Sequence, residues 1–315
     1  MKNTFISFLF LATLSLLLSS CTKIELKEVE DVCTQMDDIN FRNFCYTNFD
    51  VNKDGKVSMT EANAVREIII HNQNIKSLVG IEYFTNLTML VCFNNELTSL
   101  DVRKCINLTW LDCGGNDLTS LDVRKCINLT ELYCGGNDLT SLDVRKCINL
   151  TELYCTSNNL TSLDVSKCIN LSKLYCDNNN LTSLDVSKCI NLMELVCYFN
   201  NLTSLDASKC INLSKLYCDN NNLTSLDVSK YINLTELDCK HNELTSLDVS
   251  KCINLTELFC EHNELTSLDV SKCINLMWLD CTYNPLTILY LNAKHKNIYY
   301  QIYHPEGVNI EYLDS

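Results

Sequence analysis

The chain has 315 residues, 46% hydrophobic and 20% charged, which is enough apolar surface for a core and excludes wholesale disorder. Only 2 prolines and 7 glycines occur, which excludes collagen-like, proline-rich and glycine-serine-linker architectures. A formal charge of −14 opposes phosphate backbones and anionic headgroups over most of the surface, so nucleic acid is not an expected partner and cations or basic partners are favoured.

The first segment, MKNTFISFLFLATLSLLLSSC, carries an early Lys2, an apolar run from Phe5 to Leu18 and small residues before Cys21, the pattern of a secretory signal. The run is too short for the ~20 residues that span a hydrocarbon core. Leu18-Ser19-Ser20-Cys21 resembles the lipobox of bacterial lipoproteins, which implies cleavage before Cys21 and acyl chains carried by that cysteine. At ~0.8 kcal/mol per buried methylene, several acyl chains make a stable membrane anchor. Thr22 stands where lipoproteins retained at the inner membrane carry aspartate, and Glu25, Glu28, Glu30 and Asp31 resemble the export signals of Bacteroidetes surface lipoproteins. The expectation is an outer-membrane lipoprotein exposed at the cell surface, with residues 1–21 as signal and lipidation site and 22–35 as a tether.

Next comes DVNKDGKVSMTE, Asp50 to Glu61, which resembles the EF-hand loop at every defining position. Calcium is a hard cation that takes six to eight oxygens, and the spacing offers Asp50, Asn52 and Asp54, the Lys56 carbonyl, Ser58, and Glu61 to close the site with both carboxylate oxygens. Gly55 permits the sharp turn. Phe41, Phe44 and Phe49 before the loop, and Val65, Ile68 and Ile69 after it, predict a helix-loop-helix over 36–72. No second loop of this type occurs, so its apolar face is expected to dock on the first repeat, as a calcium-bound cap.

From Leu87 one unit recurs every 21 residues, ten times, each reading LxxLxCxxNxL, with asparagines from Asn95 to Asn284. It resembles the leucine-rich repeat. IKSLVGIEYFTNLTML, from Ile75, is similar to the lead-in of internalin-like proteins, and a calcium loop before such repeats resembles an arrangement of bacterial surface lipoproteins. The implied fold is mainly β: a leucine-rich-repeat solenoid of about ten coils over 73–292, with a small helical cap before it and a C-terminal cap over 293–315. A second half-unit, LTSLDVSKC, repeats the L-x-x-L-x-apolar spacing, so a parallel sheet is expected on the concave side and short strands on the convex side. At roughly 4.8 Å per coil, ten coils make about 50 Å.

Of 21 cysteines, ten fall in the L-x-C column, Cys92 to Cys281, and eight in a second, Cys105 to Cys273, where Tyr231 takes one place. Side chains stacked in register point the same way, which suits packed core thiols better than a disulfide ladder or metal array. Cys33 and Cys45 could pair; the sequence leaves this open.

Positions flanking the inward residues differ between coils and carry Trp110, Tyr133, Tyr154, Tyr175, Tyr217, Phe259 and Trp278, with a break at Val196, Tyr198 and Phe199. Aromatics beside charges on a rigid surface suit recognition of a protein or glycan. On the other side runs one aspartate per coil, Asp101 to Asp269, with lysines three residues on, Lys104 to Lys272, expected to offset the like charges. The Asn-Leu-Thr triplets, though they look like glycosylation acceptors, are repeat by-products in a bacterial lipoprotein. His241 and His262 stack near Glu261 without a nucleophile, and no GxSxG, HExxH or phosphate loop occurs, so no enzyme is expected. The expected function is an adhesin-like, non-catalytic surface binder; the alternative is a spacer or coat protein without a dedicated ligand.

Overall fold

A computed structural model describes residues 30–296 and 300–314. The signal, Cys21 and Glu25 and Glu28 lie outside these residues.

The chain begins its described part with a 3-10 turn, Val32–Gln35, which belongs to the folded cap and not to a tether. Val32 and Cys33 are fully buried. Asp31, read above as a tether acid, is an internal clasp: its carboxylate accepts from Cys33 N (3.0 Å), Val57 N (3.1 Å) and the Tyr46 hydroxyl (2.7 Å). Helix α1, Ile39–Phe49, starts at Asp38, which accepts from Asn40 N and Phe41 N and so supplies two of the amides a helix start leaves unpaired. The same carboxylate takes Lys76 N at 2.7 Å. Helix α2, Met59–Ala64, opens on a Ser58–Glu61 capping box. It ends at Val65, because the next residues join a sheet: Thr88 N donates to Arg66 O at 2.8 Å, and Ile68 pairs with Leu90. Ile68 and Ile69 are therefore strand residues and not the end of a helix, contrary to their spacing. The cap docks on the first coil as expected, with the Phe49 ring 5.4 Å from Phe84. Gly80, at φ 103°, has Met36 against it; a Cβ there would sit 2.6 Å from Met36 Cγ.

Twelve parallel strands make one sheet, from Glu67–Ile69 through Trp278–Asp280 to Gln301–Tyr303. The solenoid thus gains a turn beyond each end of the ten-unit repeat. Neither end turn carries the full motif; each is held by pairing with the adjacent coil. Each regular coil points Leu, Cys, Leu, Leu, Val and Cys inward, as in Leu90, Cys92, Leu97, Leu100, Val102 and Cys105, all at most 8% exposed. A buried leucine contributes roughly 1.5–3 kcal/mol, so the core is built from many equal increments along the coil axis.

The asparagine column closes the turn after each strand. Asn158 is buried; its Oδ1 accepts from Leu139 N at 3.0 Å, and its Nδ2 donates to the carbonyls of Cys134 (3.0 Å) and Cys155 (3.1 Å). The same triad recurs in its neighbours, as at Asn179. The residue before each asparagine is left-handed: Asn94, Gly115, Gly136, Ser157, Asn178, Phe199, Asn220, His241, His262 and Tyr283.

On the opposite side the expected short strands form only at the C-terminal end, as Ser267–Asp269, Ile288–Asn292 and Asn309–Leu313, plus one bridge between Asp185 and Asp206. Elsewhere no ladder forms and the aspartate caps a local turn, a bond that Asp269 makes from within its strand as well. Asp164 Oδ1 accepts from Ser166 N at 3.0 Å, and Cys168 N donates to Val165 O at 2.9 Å. In three coils the partner is an arginine two residues on, not the lysine three on: Arg103, Arg124 and Arg145 grip Asp101, Asp122 and Asp143 at 2.7, 2.9 and 2.9 Å. The guanidinium of Arg124 holds Asp122 down to about 2, and that of Arg145 does the same for Asp143.

Every described cysteine is a free, buried thiol, Cys33 and Cys45 included. In the second column each thiol donates to a backbone carbonyl 24 residues earlier, as Cys126 Sγ to Val102 O (3.6 Å) and Cys210 Sγ to Val186 O (3.4 Å). Burial pushes the Cys155 and Cys168 thiols up to about 12, which keeps them neutral core groups. Tyr231 stands in this column at 1% exposure. Twenty-four residues before it, where the other regular coils have valine, is Ala207.

Candidate binding surface

The strand triplets fix which side chains look outward. In Glu152–Tyr154 the central Leu153 is buried and its two neighbours are half-buried on the outer face. In-register pairing then places like positions about one strand spacing apart, Tyr133 beside Tyr154 and Tyr154 beside Tyr175. The rings respond by stacking: Trp110 on Tyr133 at 5.2 Å, Tyr133 on Tyr154 at 4.6 Å, Tyr154 on Tyr175 at 4.4 Å. This four-ring ladder joins four of the sequence-predicted residues into one feature. Its hydroxyls are anchored, Tyr133 to Glu131 (2.8 Å) and Glu152 (3.1 Å), Tyr175 to Glu194 (2.6 Å), and Lys173 bridges to Glu152 at 3.0 Å. Burial pushes the Tyr133 and Tyr175 phenols up, so they stay protonated donors.

The ladder ends at Val196, which is buried at 5%. Tyr217 is beyond it, bonded to Glu236. Tyr198 and Phe199 leave the strand column: Phe199 is 52% exposed in the left-handed turn position and meets Tyr198 edge-on at 5.7 Å. They form a rim knob and not part of the ladder.

A second cluster gathers at the far end. Phe259 and Trp278 meet at 5.6 Å, tilted by 59°. In the turn column His241, His262 and Tyr283 stack at 4.2 and 4.1 Å. The sequence placed the two histidines together; Tyr283 in the same stack was missed, although it occupies the same repeat position 21 residues on. Beside them, Lys240 Nζ binds Asp238 Oδ2 at 2.7 Å. Burial holds Asp238 up to about 6 and Glu261 up to about 7, with the neighbouring charges of Asp280 and Asp238 adding to the rise at Glu261. Another feature the sequence reading overlooked is a row of half-exposed isoleucines, Ile106 to Ile253, one per coil, visible as the residue after each second-column cysteine.

The loop Asp50–Glu61 sits on the cap, apart from this face. Gly55 is left-handed at φ 83° with open space around it. Asp50 accepts from Asp54 N (3.2 Å) and Gly55 N (2.9 Å), and Glu61 Oε1 reaches back over the loop to Val51 N (2.9 Å) and Asn52 N (3.3 Å). Glu61 Oε2 accepts from Ser58 N and Ser58 Oγ, and these bonds hold its carboxyl low. The six expected ligands thus lie on one closed turn with hard oxygen donors, although among the described residues no three His, Cys, Asp or Glu side chains converge as a cage. Among the described residues, no helix is long and apolar enough to cross a membrane.

Residues 106–144 match the family model for Leucine Rich repeats (2 copies). The functional domain of InlJ from Listeria monocytogenes, described as including a cysteine ladder, is 37% identical, with a TM-score of 0.81 over 90% of this chain and 63% of that one. The chain is a leucine-rich-repeat solenoid with internalin-like structural neighbours. It spans just under two thirds of the InlJ chain's length. The solenoid shares its fold, at 19% identity and a TM-score of 0.64, with the internalin InlF of the same species, covering 90% of this chain and 98% of that one. At 18% identity and a TM-score of 0.67 it shares that fold with the ectodomain of the Arabidopsis thaliana receptor kinase GASSHO1/SCHENGEN3, in complex with Casparian strip integrity factor 2, over 81% and 39% of the two chains. No curated protein matches the sequence.

Proposed function

We propose that this protein is a non-catalytic, surface-anchored binding protein that recognises a protein or glycan through the outer face of its long sheet. The observation that carries the reading is the ladder Trp110–Tyr133–Tyr154–Tyr175, four rings whose consecutive centroids lie 5.2, 4.6 and 4.4 Å apart, with Tyr133 and Tyr175 held by carboxylates. Rings held in this way offer contact area with little entropy left to lose on binding. The similarity to an internalin domain supports the same direction. Adhesion is tested by binding of the purified full chain to host or neighbouring cells. Replacing Tyr154 and Tyr175 together by Ala is expected to weaken saturable binding by tenfold or more, while Ile148→Ala on the opposite side leaves it unchanged. Equal binding by both variants sinks the reading, and no saturable binding at all favours the spacer alternative.

The anchor is proposed to be an acylated Cys21 at the outer membrane, supported by the signal sequence. Calcium is proposed to sit on Asp50, Asn52, Asp54, the Lys56 carbonyl, Ser58 and Glu61, where it would tie the loop between α1 and α2 and stiffen the cap over the first coil. The donor set fits a hard cation. Thermal unfolding of the full chain in detergent is expected to shift upward with calcium, by the equivalent of about 2.7 kcal/mol at a hundredfold excess over Kd. The shift should vanish in Glu61→Gln; persistence there, or no shift in the parent, refutes the site.

A further inference from the structure

The acidic charge of this chain is concentrated on the sheet face. Counting both outer positions of each strand triplet and the residue two beyond it, from Glu67 to Thr282, twelve carboxylates, of which Asp177, Asp219 and Asp238 are buried, stand against three lysines, a net of −9 where the whole chain carries −14. The three lysines are already taken, Lys173 by Glu152, Lys215 by Glu236 and Lys240 by Asp238. A polyanionic or neutral partner would meet this face at a Coulombic disadvantage; a basic one is steered to it.

One place on the face is shaped for a cationic side chain. Strand pairing sets Phe259 between two aspartates, Asp238 on one side and Asp280 on the other. Trp278 walls the site, its indole 5.6 Å from the Phe259 ring and its surface 40% exposed. Two residues past Phe259, Glu261 turns Oε2 into a position shut off from solvent, where no donor reaches it. A carboxylate oxygen withdrawn from water without a hydrogen bond costs the full desolvation penalty, so the site favours an incoming N–H donor. Asp280 spends Oδ1 on Thr282 N (3.0 Å) and the Thr282 hydroxyl (2.6 Å), bonds in which Oδ2 takes no part. The molecule also shows that an ammonium suits this ring: Lys240 Nζ lies 5.7 Å from the Phe259 centroid on the Asp238 side. The Asp280 side is the mirror position.

Resting on the reading of this face as the binding surface, we propose that it takes a basic polypeptide segment, one of whose lysine or arginine side chains seats over Phe259 among Asp280, Glu261 and Trp278. The ring supplies cation–π attraction, Glu261 and Asp280 supply acceptors, and Lys240 stays on its own aspartate. The remaining basic residues of the segment run along the glutamates between the ladder and the cradle. Acidification releases the ligand, because Asp219, Asp238 and Glu261, all raised by burial, lose their charge as the pH falls while Lys240 keeps its own.

The test is calorimetric titration of the full chain in nonionic detergent with hexa-arginine and hexa-lysine peptides at physiological salt, with hexa-glutamate as control. Saturable binding of the basic peptides is expected, weakened at least tenfold by Glu261→Gln and by Phe259→Leu, and changed less than twofold by Asp164→Asn on the opposite side. Thermal unfolding of each variant confirms that it is folded. If Asp164→Asn weakens binding as much as Glu261→Gln, the attraction is general to an acidic surface and the proposal fails. A response to calcium chloride alone, with none to the peptides, assigns the carboxylates to a metal and also overturns it. A neutral glycan that binds the face while the peptides do not has the same consequence. Should the peptides fail while the tyrosine replacements still abolish cell binding, this proposal falls and the binding-face reading stands; if both fail, both fall.

Discussion

Asn158→Ala is expected to destabilise the solenoid by about 2–4 kcal/mol. The side chain is buried, and removing it strands Leu139 N, a group that costs about 1–3 kcal/mol when left unpaired in the interior, and takes one of two donors from the carbonyls of Cys134 and Cys155, which keep Asn137 and Asn179. No water-sized route to solvent compensates, since Cys134, Leu139 and Cys155 are themselves fully buried. Asn158→Asp is the sharper variant. It keeps the acceptor toward Leu139 N and turns the donor into a second acceptor facing two carbonyls, so its penalty should grow as the new carboxyl ionises. The neighbouring Asn159→Ala is the control: it is exposed and is expected to change stability by less than about 0.5 kcal/mol. Chemical denaturation of the three variants decides the matter, and a cost for Asn158→Ala no larger than for Asn159→Ala would remove the ladder from the account of stability.

The second large effect is expected where the repeat breaks its own rule. Tyr231 fills a column that otherwise holds cysteine, and Ala207, one coil earlier at the 24-residue spacing that links the column to the preceding coil, replaces a valine. The larger ring and the smaller neighbour compensate in volume, and the adjustment is visible at Leu205, which is part-exposed where Leu184 is 4% exposed. Restoring valine alone, Ala207→Val, overpacks this pair and should cost about 1–3 kcal/mol. Removing the ring alone, Tyr231→Cys, leaves a void and should cost about 3 kcal/mol. The double variant regenerates a regular coil, so its cost should fall short of the sum by 1 kcal/mol or more. Strict additivity in the denaturation midpoints would show that the two positions do not meet.

Both results rest on features that the sequence displays unequally. The coil period, the inward Leu and Cys columns and the asparagine positions are legible because each is repeated ten times, and period-2 burial of a strand triplet follows from L-x-C directly. The end turns are not legible. Glu67–Ile69 and Gln301–Tyr303 lack the motif and become strands through pairing with the adjacent coil, a tertiary effect that local pattern does not contain. Ile68 shows the cost of reading spacing alone: it falls at helical distance from Val65 yet is claimed by Leu90. The opposite half-turn misleads in the converse sense. L-x-V has strand spacing, but a ladder forms there only beside Ile288–Asn292, a pairing that the local pattern does not contain; the aspartate's bond to the amide two residues on is made in both settings, at Asp164 and at Asp269. Arginine against lysine was decided by reach: two residues on from the aspartate, Arg124 lays a planar fork on both its oxygens.

The binding surface divides the same way. Tyr133, Tyr154 and Tyr175 were visible as one column and do stack. The cradle at Phe259 was only partly visible: Asp238, Phe259 and Asp280 fall in the same column, but the seating of Trp278 against the Phe259 ring and the withdrawal of Glu261 Oε2 from solvent are side-chain placements that the repeat does not contain. Tyr198 and Phe199 looked like the most informative break in the face, but the left-handed turn carries Phe199 to the rim.

The asparagine column has one further consequence. Members such as Asn158 and Asn179 each bond back across a coil boundary to a Leu amide and a Cys carbonyl and within their own coil to a second Cys carbonyl, so these boundaries are interchangeable. A 21-residue segment can therefore be gained or lost by recombination between near-identical copies without disturbing either terminus. What changes is the distance between the tyrosine ladder and the cradle, in steps of roughly 4.8 Å per strand. The lineage holds a molecular ruler whose graduations are whole coils, and the reach of its binding face can evolve by counting instead of by redesign.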